Sequence, residues 1–265
     1  MHPIICQIGP FTVYSYGLTL ALAFFIASWL AVRQAARQSI APEIISGVCF
    51  IAVVSGIAGA RALFVLNNLR FYISHPLEIL MLQHGGLSWF GGMLLAVLCS
   101  CLYLRRKKIS VYTALDILVP FVVLAQAIGR IGCFLNGCCY GRPSKFGIYV
   151  DAGSELLIPT QIYSTLILLA IFVFLRFMQE RPGLKAGTVF FLYILLYSAK
   201  RFFIEFFRGD NSPALWGLTP FQLFSVALFV VALTKLIMLH VGAGLKPAPT
   251  DTNDERRTTP RLRSG

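Results

Sequence analysis

The sequence predicts an all-α, polytopic membrane protein of seven transmembrane helices, with the N-terminus outside and the C-terminus cytoplasmic. Three observations predict it. Of 265 residues, 57% are hydrophobic and only 13% charged, with a mean hydropathy of +0.74; ordinary soluble chains carry about 25% charged residues. The apolar residues recur in windows of about twenty, the helical length that crosses a hydrocarbon core. Lysines and arginines gather between those windows and in the tail, which is the pattern that sets membrane orientation.

The elements follow in order. The opening "MHPIICQIGPFTVYSYG" contains no Lys or Arg and so lacks the basic start of a cleavable signal peptide. Spans are expected over residues 14–33, 44–66, 88–104, 113–128, 160–177, 187–204 and 218–240, the third and fourth being short or interrupted by Gly or Pro. Between the second and third, Pro76 and the pair Gly85–Gly86 break helix, which predicts a loop with a short interfacial helix. Residues 1–240 thus form one membrane domain. From about residue 241, "GAGLKPAPTDTNDERRTTPRLRSG" has little to bury and reads as a disordered basic cytoplasmic tail. With the N-terminus outside, the inner side holds Arg33, Arg37, Arg105, Arg106, Lys107, Lys108, Arg176, Arg181, Lys185 and the tail cations, the larger share. The net charge of +12 is explained by this placement and calls for no nucleic acid.

An ionisable group at membrane depth is expensive and faces a cavity or a partner. Three features meet that description. Arg61 lies in "GIAGARALFVL", where Gly56, Ala58, Gly59 and Ala60 let another helix approach closely; the alternative is an arginine snorkelling to the interface. In "SAKRFFIEFFRGDN", Arg201, Glu205 and Arg208 share one helical face among phenylalanines. Guanidinium forks there suit a lipid phosphate, with Glu205 holding them in place; an interfacial ion-pair anchor is the other reading. In "GRIGCFLNGCCYGRPS", glycines 129, 132, 137 and 141, Asn136, Arg130 and Arg142 could form a phosphate cradle of side chains and backbone N–H groups.

The same stretch places Cys133, Cys138 and Cys139 in a C-x4-C-C pattern. Three thiols without a neighbouring histidine are a poor zinc site by the usual spacings, so no metal and no cofactor is expected. A disulfide from Cys133 to Cys138 or Cys139 and a set of reactive thiols both remain open.

Taken together, these motifs resemble the prolipoprotein diacylglyceryl transferase family from about Tyr14 to Gln222. "YSYGL" is similar to the family's first-span motif, with its functional tyrosine at Tyr16, and "AGARALFVL" to its Gly-x-Arg segment at Arg61. "HGGLSWFGG" resembles Gly-Gly-x-Ser-Phe-His-Gly-Gly, and "GRIGCFLNGCCYG" the signature Gly-Arg-x-Gly-Asn-Phe-x-Asn-Gly-Glu-x-x-Gly. "IPTQIYS" resembles His-Pro-Ser-Gln-Leu-Tyr-Glu, and "RFFIEFFR" Arg-x-x-x-Glu-Phe-x-Arg. What the resemblance implies is transfer of diacylglyceryl from phosphatidylglycerol to a lipobox cysteine thiol of a prolipoprotein. The setting would be the bacterial inner membrane, with the active site towards the outer leaflet. It implies catalytic roles for Arg130, Arg201 and Tyr16, and substrate contacts from Arg130, Asn136, Gly141, Arg201, Glu205, Arg208, Arg61, Gln161 and Tyr163.

The chain departs from the family at Phe90 (family His), Cys133 (Asn), Cys138 (Glu), Ile158 (His) and Ser164 (Glu). His84 lies six residues before Phe90 and is a candidate substitute, although a lone loop histidine is more often incidental. The departures leave two other readings open: a divergent relative using another acceptor with cysteine thiol or redox chemistry, and a non-catalytic phospholipid-binding protein.

Overall fold

A computed structural model describes residues 4–8, 11–38, 40–81, 85–149, 155–209, 211, 214 and 216–241. The expected disordered tail and His84 lie outside them. A short hairpin, β1 (Ile4–Ile8) with β2 (Phe11–Tyr14), leads into α1 (Ser15–Arg37). Then come α2 (Pro42–Asn67), the short α3 (Leu69–Ser74), a 3₁₀ turn at Pro76–Ile79, α4 (Trp89–Arg106) and α5 (Val111–Leu135). After β3 (Pro143–Tyr149) and β4 (Leu156–Leu157), an antiparallel pair, follow α6 (Thr160–Gln179), α7 (Thr188–Glu205) and α8 (Pro220–Val241). The short helix expected in the loop after the second span is α3.

Among the described residues six helices are long and apolar enough to cross a membrane: α1, α2, α4, α5, α6 and α8. α7 falls outside that group because its 18 residues include Lys200, Arg201 and Glu205. α5 runs past the expected end at residue 128, so "GRIGCFL" is helical rather than loop. Neither Gly129 nor Gly132 has positive φ, so neither breaks the helix.

Many large side chains point outward and small ones line part of the helix contacts, as expected where lipid is as apolar as leucine and close packing drives association. Phe25, Phe50, Leu94, Val173 and Phe224 are exposed, whereas Ala23, Ala27, Ala31 and Ala35 form a buried i, i+4 seam on α1. α1 packs on α5, α5 also on α6 and α7, and α7 on α8. The small residues noted around Arg61 do admit another helix, and it is α4. A Cβ at Gly59 would lie 2.4 Å from the Gly91 carbonyl oxygen, and one at Gly91 would lie 2.3 Å from that of Gly59. From α5, Asp116 accepts the N–H groups of Gly187 (2.6 Å) and Phe190 (2.8 Å), capping the start of α7 with the sign its dipole prefers.

The glycine crossing gives the first prediction. Gly59→Leu forces α2 and α4 apart and costs about 1–3 kcal/mol or more, in the range of overpacked cores. Gly56→Ala, whose Cβ would meet Ala96 at 3.8 Å, is tolerated. Thermal unfolding of the purified protein in detergent should show a drop of several degrees for the first variant and none for the second.

Candidate active site

α5 closes on a Schellman motif. The Cys138 N–H donates to the Cys133 carbonyl at 3.1 Å and the Gly137 N–H to that of Phe134 at 3.2 Å, with Gly137 at φ 76°. This motif satisfies the last helical carbonyls and brings its first and sixth residues into contact. The C-x4-C spacing is therefore the spacing of a helix end. Cys139 follows at φ 68°, a left-handed conformation uncommon for a residue with a Cβ. The three Sγ atoms consequently lie within 4.8 Å of one another, those of Cys138 and Cys139 being 3.6 Å apart. All three are half-buried free thiols. The helix end gathers three sulfurs by itself, with no histidine needed to bring them together.

The start of α6 holds this turn. Thr160 Oγ1 donates to the Cys139 carbonyl at 2.7 Å, and Gln161 Nε2 to that of Cys138 at 2.6 Å. Gln161 is fully buried, and its Oε1 has no partner among the described residues. On one side the Gly141 N–H donates to the Ile158 carbonyl at 2.9 Å; on the other the Arg142 N–H donates to the Phe207 carbonyl at 2.9 Å. Arg142 Nε also donates to the Arg208 carbonyl at 3.0 Å. A Cβ at Gly141 would lie 2.4 Å from the Phe207 oxygen and 2.8 Å from Thr160 Cγ2, so only glycine fits. The segments "GRIGCFLNGCCYGR", "IPTQ" and "RFFIEFFR" thus meet at one junction.

Charge is concentrated there. Glu205, 2% exposed, faces Arg201 Nη2 through Oε2 at 3.0 Å, an ion pair whose alignment falls short of a hydrogen bond. Its Oε1 accepts Asn211 Nδ2 at 2.6 Å and Thr219 Oγ1 at 3.1 Å. Arg201 also lies over the Phe221 ring, 4.8 Å from its centre. Lys200 is buried, its Nζ 5.0 Å from the centre of the Tyr197 ring, and lies within electrostatic reach of Arg130, Arg201 and Arg208. Neither Arg130 nor Lys200 makes a hydrogen bond or ion pair among the described residues. Cations therefore outnumber the buried carboxylate, and an anion entering between them would be held by their combined field. Tyr16, in the first turn of α1, lies within reach of Arg130 and all three thiols. Asn136 caps α5 and its side chain reaches the Cys138 thiol. Tyr163 is exposed on the first turn of α6.

Arg61 belongs elsewhere. Its Nε donates to the Ile79 carbonyl at 3.0 Å, Nη1 to those of Gly85 and Gly86, and Nη2 to those of Glu78 and Met81. A guanidinium has five N–H groups, and these five carbonyls take them all. The expected substrate contact finds no free donor here: the five N–H groups of Arg61 are all taken, and they fasten residues 78–81 and 85–86 against α2. It neither snorkels nor joins the cation cluster.

Lys200, Asn211 and Thr219 join the site without having been expected there. The signal for Lys200 was available, because a lysine within the last turns of an apolar helix needs a reason. Phe90, at the family's histidine position, is exposed and stacks edge-on against Trp89 at 5.3 Å. It can handle no proton.

The two thiols beyond α5 differ in acidity. Cys139 is pushed down to about 5, first by the hydrogen bond from Cys133 and further by Cys138, Arg208 and Arg130, against the opposing effect of burial. Burial pushes Cys138 the other way.

Comparisons with known proteins agree with one another. A family model described as prolipoprotein diacylglyceryl transferase matches residues 3–238. A phosphatidylglycerol–prolipoprotein diacylglyceryl transferase of Clostridium tetani is 32% identical over 240 residues, covering 88% of this chain and 96% of its own. The Streptococcus agalactiae protein of that name is 32% identical over 248 residues, covering 89% and 95%. That of Synechococcus elongatus is 33% identical over 264 residues, covering 94% and 90%.

The acidity difference yields a prediction about alkylation of the reduced protein by iodoacetamide. A depressed pKa keeps Cys139 as the reactive thiolate above about 5. Its labelling should therefore be at its plateau at pH 7 and fall as pH drops through that value. Cys138 should keep gaining reactivity past the ordinary thiol range. Peptide mass spectrometry at each pH reads both profiles; identical profiles would contradict the assignment.

Proposed function

The chain belongs to the prolipoprotein diacylglyceryl transferase family, and from that premise we propose that it moves diacylglyceryl from phosphatidylglycerol to a lipobox cysteine thiol of a prolipoprotein. One observation carries the reading to these residues: Arg130 from α5, Lys200 and Arg201 from α7, and Arg208 just beyond its end lie within electrostatic reach of one another beside the buried carboxylate of Glu205.

The acceptor sulfur forms a C–S bond to the glyceryl carbon while the C–O bond to phosphate breaks and glycerol phosphate leaves. The thiol proton passes to solvent as the sulfur attacks, so thioether, glycerol phosphate and one proton are the products. The phosphate is a monoanion as a diester and gains a second negative charge as the bond breaks. Cations fixed beforehand around its oxygens bind the departing group more strongly than the intact lipid, which is the condition for lowering the barrier. Arg130 and Arg201 take the catalytic contacts in this proposal, with Arg208 and Lys200 adding field. Glu205 positions Arg201, and Gly141 allows the backbone to close on the site. Gln161 and Asn136 fix the turn that carries the cysteines, and Tyr16 and Tyr163 border the cleft.

The full topology belongs to the same proposal. α6 and α8 both begin at this junction, Thr160 bonding to the turn after α5 and Thr219 to Glu205. A chain that leaves along α6 must return before α8 can start, and α7 is the segment available. That supports α7 as a seventh span despite its charges. With the N-terminus outside, the junction then faces the outer leaflet of the bacterial inner membrane, where the lipid and the prolipoprotein would meet.

Arg130→Ala and Arg201→Ala should each lower transfer by roughly 10²–10³-fold, the usual cost of removing one transition-state donor, with little change in thermal stability for Arg130→Ala. The wild-type chain should restore growth to bacteria depleted of their own transferase, and the double variant should not. Correct insertion without rescue would favour another acceptor for the same lipid-binding site; an unaffected double variant would remove the headgroup role altogether.

A further inference from the structure

The three sulfurs form a compact donor set that the transfer reaction does not use. Cys133 and Cys138 are locked together as the first and sixth residues of the Schellman motif, and Cys139 is turned towards them by its left-handed backbone. The set is held rigidly from outside by the Thr160 and Gln161 bonds to the carbonyls of Cys139 and Cys138. Three sulfurs bound to one zinc-like ion at about 2.3 Å stand about 3.8–4.0 Å apart. Here all lie within 4.8 Å and one pair is at 3.6 Å, so small side-chain rotations close the set around an ion.

We propose that Cys133, Cys138 and Cys139 form a tris-thiolate site for a soft d¹⁰ metal ion of the Zn²⁺ or Cu⁺ kind. Thiolates select such ions over the harder magnesium, calcium and manganese. Binding a divalent ion forms three S–M bonds, releases to solvent whatever protons the three thiols still hold and moves no electrons. The product carries one negative charge, and Arg130 and Arg208 lie close enough to offset it. The sulfurs are half buried, which leaves an entry path. The site stands whether or not the neighbouring cations take a lipid phosphate.

The test uses the full-length protein in detergent, reduced, stripped with chelator, then titrated with Zn²⁺ against a chromogenic indicator. Cd²⁺ is titrated in parallel through its thiolate charge-transfer absorption. One equivalent should bind, and Cys133→Ser, Cys138→Ser and Cys139→Ser should each weaken it at least about a hundredfold, since even outer-shell changes cost 10–100-fold. Cys6→Ser and Cys99→Ser should leave it unchanged. Should a serine variant misfold, alkylation of the wild type decides: Cd²⁺ should protect these three thiols and no others. Absence of binding, binding indifferent to the three serines, or protection of other cysteines would overturn the site, as would a disulfide that persists under the reducing conditions.

Discussion

The carboxylate of Glu205, 2% exposed, ties together the elements that everything polar in this protein depends on. Through Oε2 it pairs with Arg201 one helical turn earlier; through Oε1 it accepts Asn211 and Thr219 from the connection to α8. A buried charge without partners costs several kcal/mol, and removing one member of such a set typically costs about 3–5 kcal/mol. Glu205 therefore fixes where α7 ends, where α8 begins and which way Arg201 points. Among the described residues Glu205 is the buried carboxylate that offsets the repulsion between Arg201 and the cations near it.

The helices reach that arrangement by two different kinds of close approach. α1 offers α5 a seam of alanines, while α2 and α4 cross backbone to backbone at Gly59 and Gly91. Lipid gives helices no hydrophobic reason to associate, so small residues and satisfied backbone groups carry the packing. Arg61 belongs to the second crossing: the carbonyls of Glu78, Ile79, Met81, Gly85 and Gly86 need donors, and one guanidinium supplies five. The motif residues accordingly separate in space into one group on α2, α4 and the segment between them, and another where α1, α5, α6 and α7 meet.

The segment pattern was legible because span length and apolar content are set by the bilayer itself, and the observed helices follow the expected windows within a few residues except at the end of α5. There, Gly129 and Gly132 read as turn signals, whereas the helix tolerates both. Gly132 is needed for the approach of α1, since a Cβ would lie 2.1 Å from Thr19 Oγ1. Arg61 was legible as an unusual residue but not as a loop clamp, because its acceptors lie 17 to 25 positions away. Cys133 and Cys138 were legible as a pair, yet only the Schellman geometry and the φ of Cys139 reveal that the third sulfur joins them. Tertiary placement, which spacing does not encode, made each of these differences.

Charge explains why a chain can place cysteines where its family's signature has an asparagine and a glutamate. A glutamate at that position would bring an anion close to Arg130, and Cys138 by itself, raised by burial, does not replace it. Its neighbour does. Cys139 is held as a thiolate near neutral pH by the hydrogen bond from Cys133, a second from Cys138 and the field of Arg208 and Arg130. The asparagine position then serves as a thiol donor and the glutamate position as another, so two neutral groups stabilise one anion displaced by a single residue. The cluster keeps its negative partner, and the cationic pocket keeps its balance, through chemistry that a carboxylate cannot offer: a softer, polarisable anion whose proton and metal affinities both depend on its two neighbours.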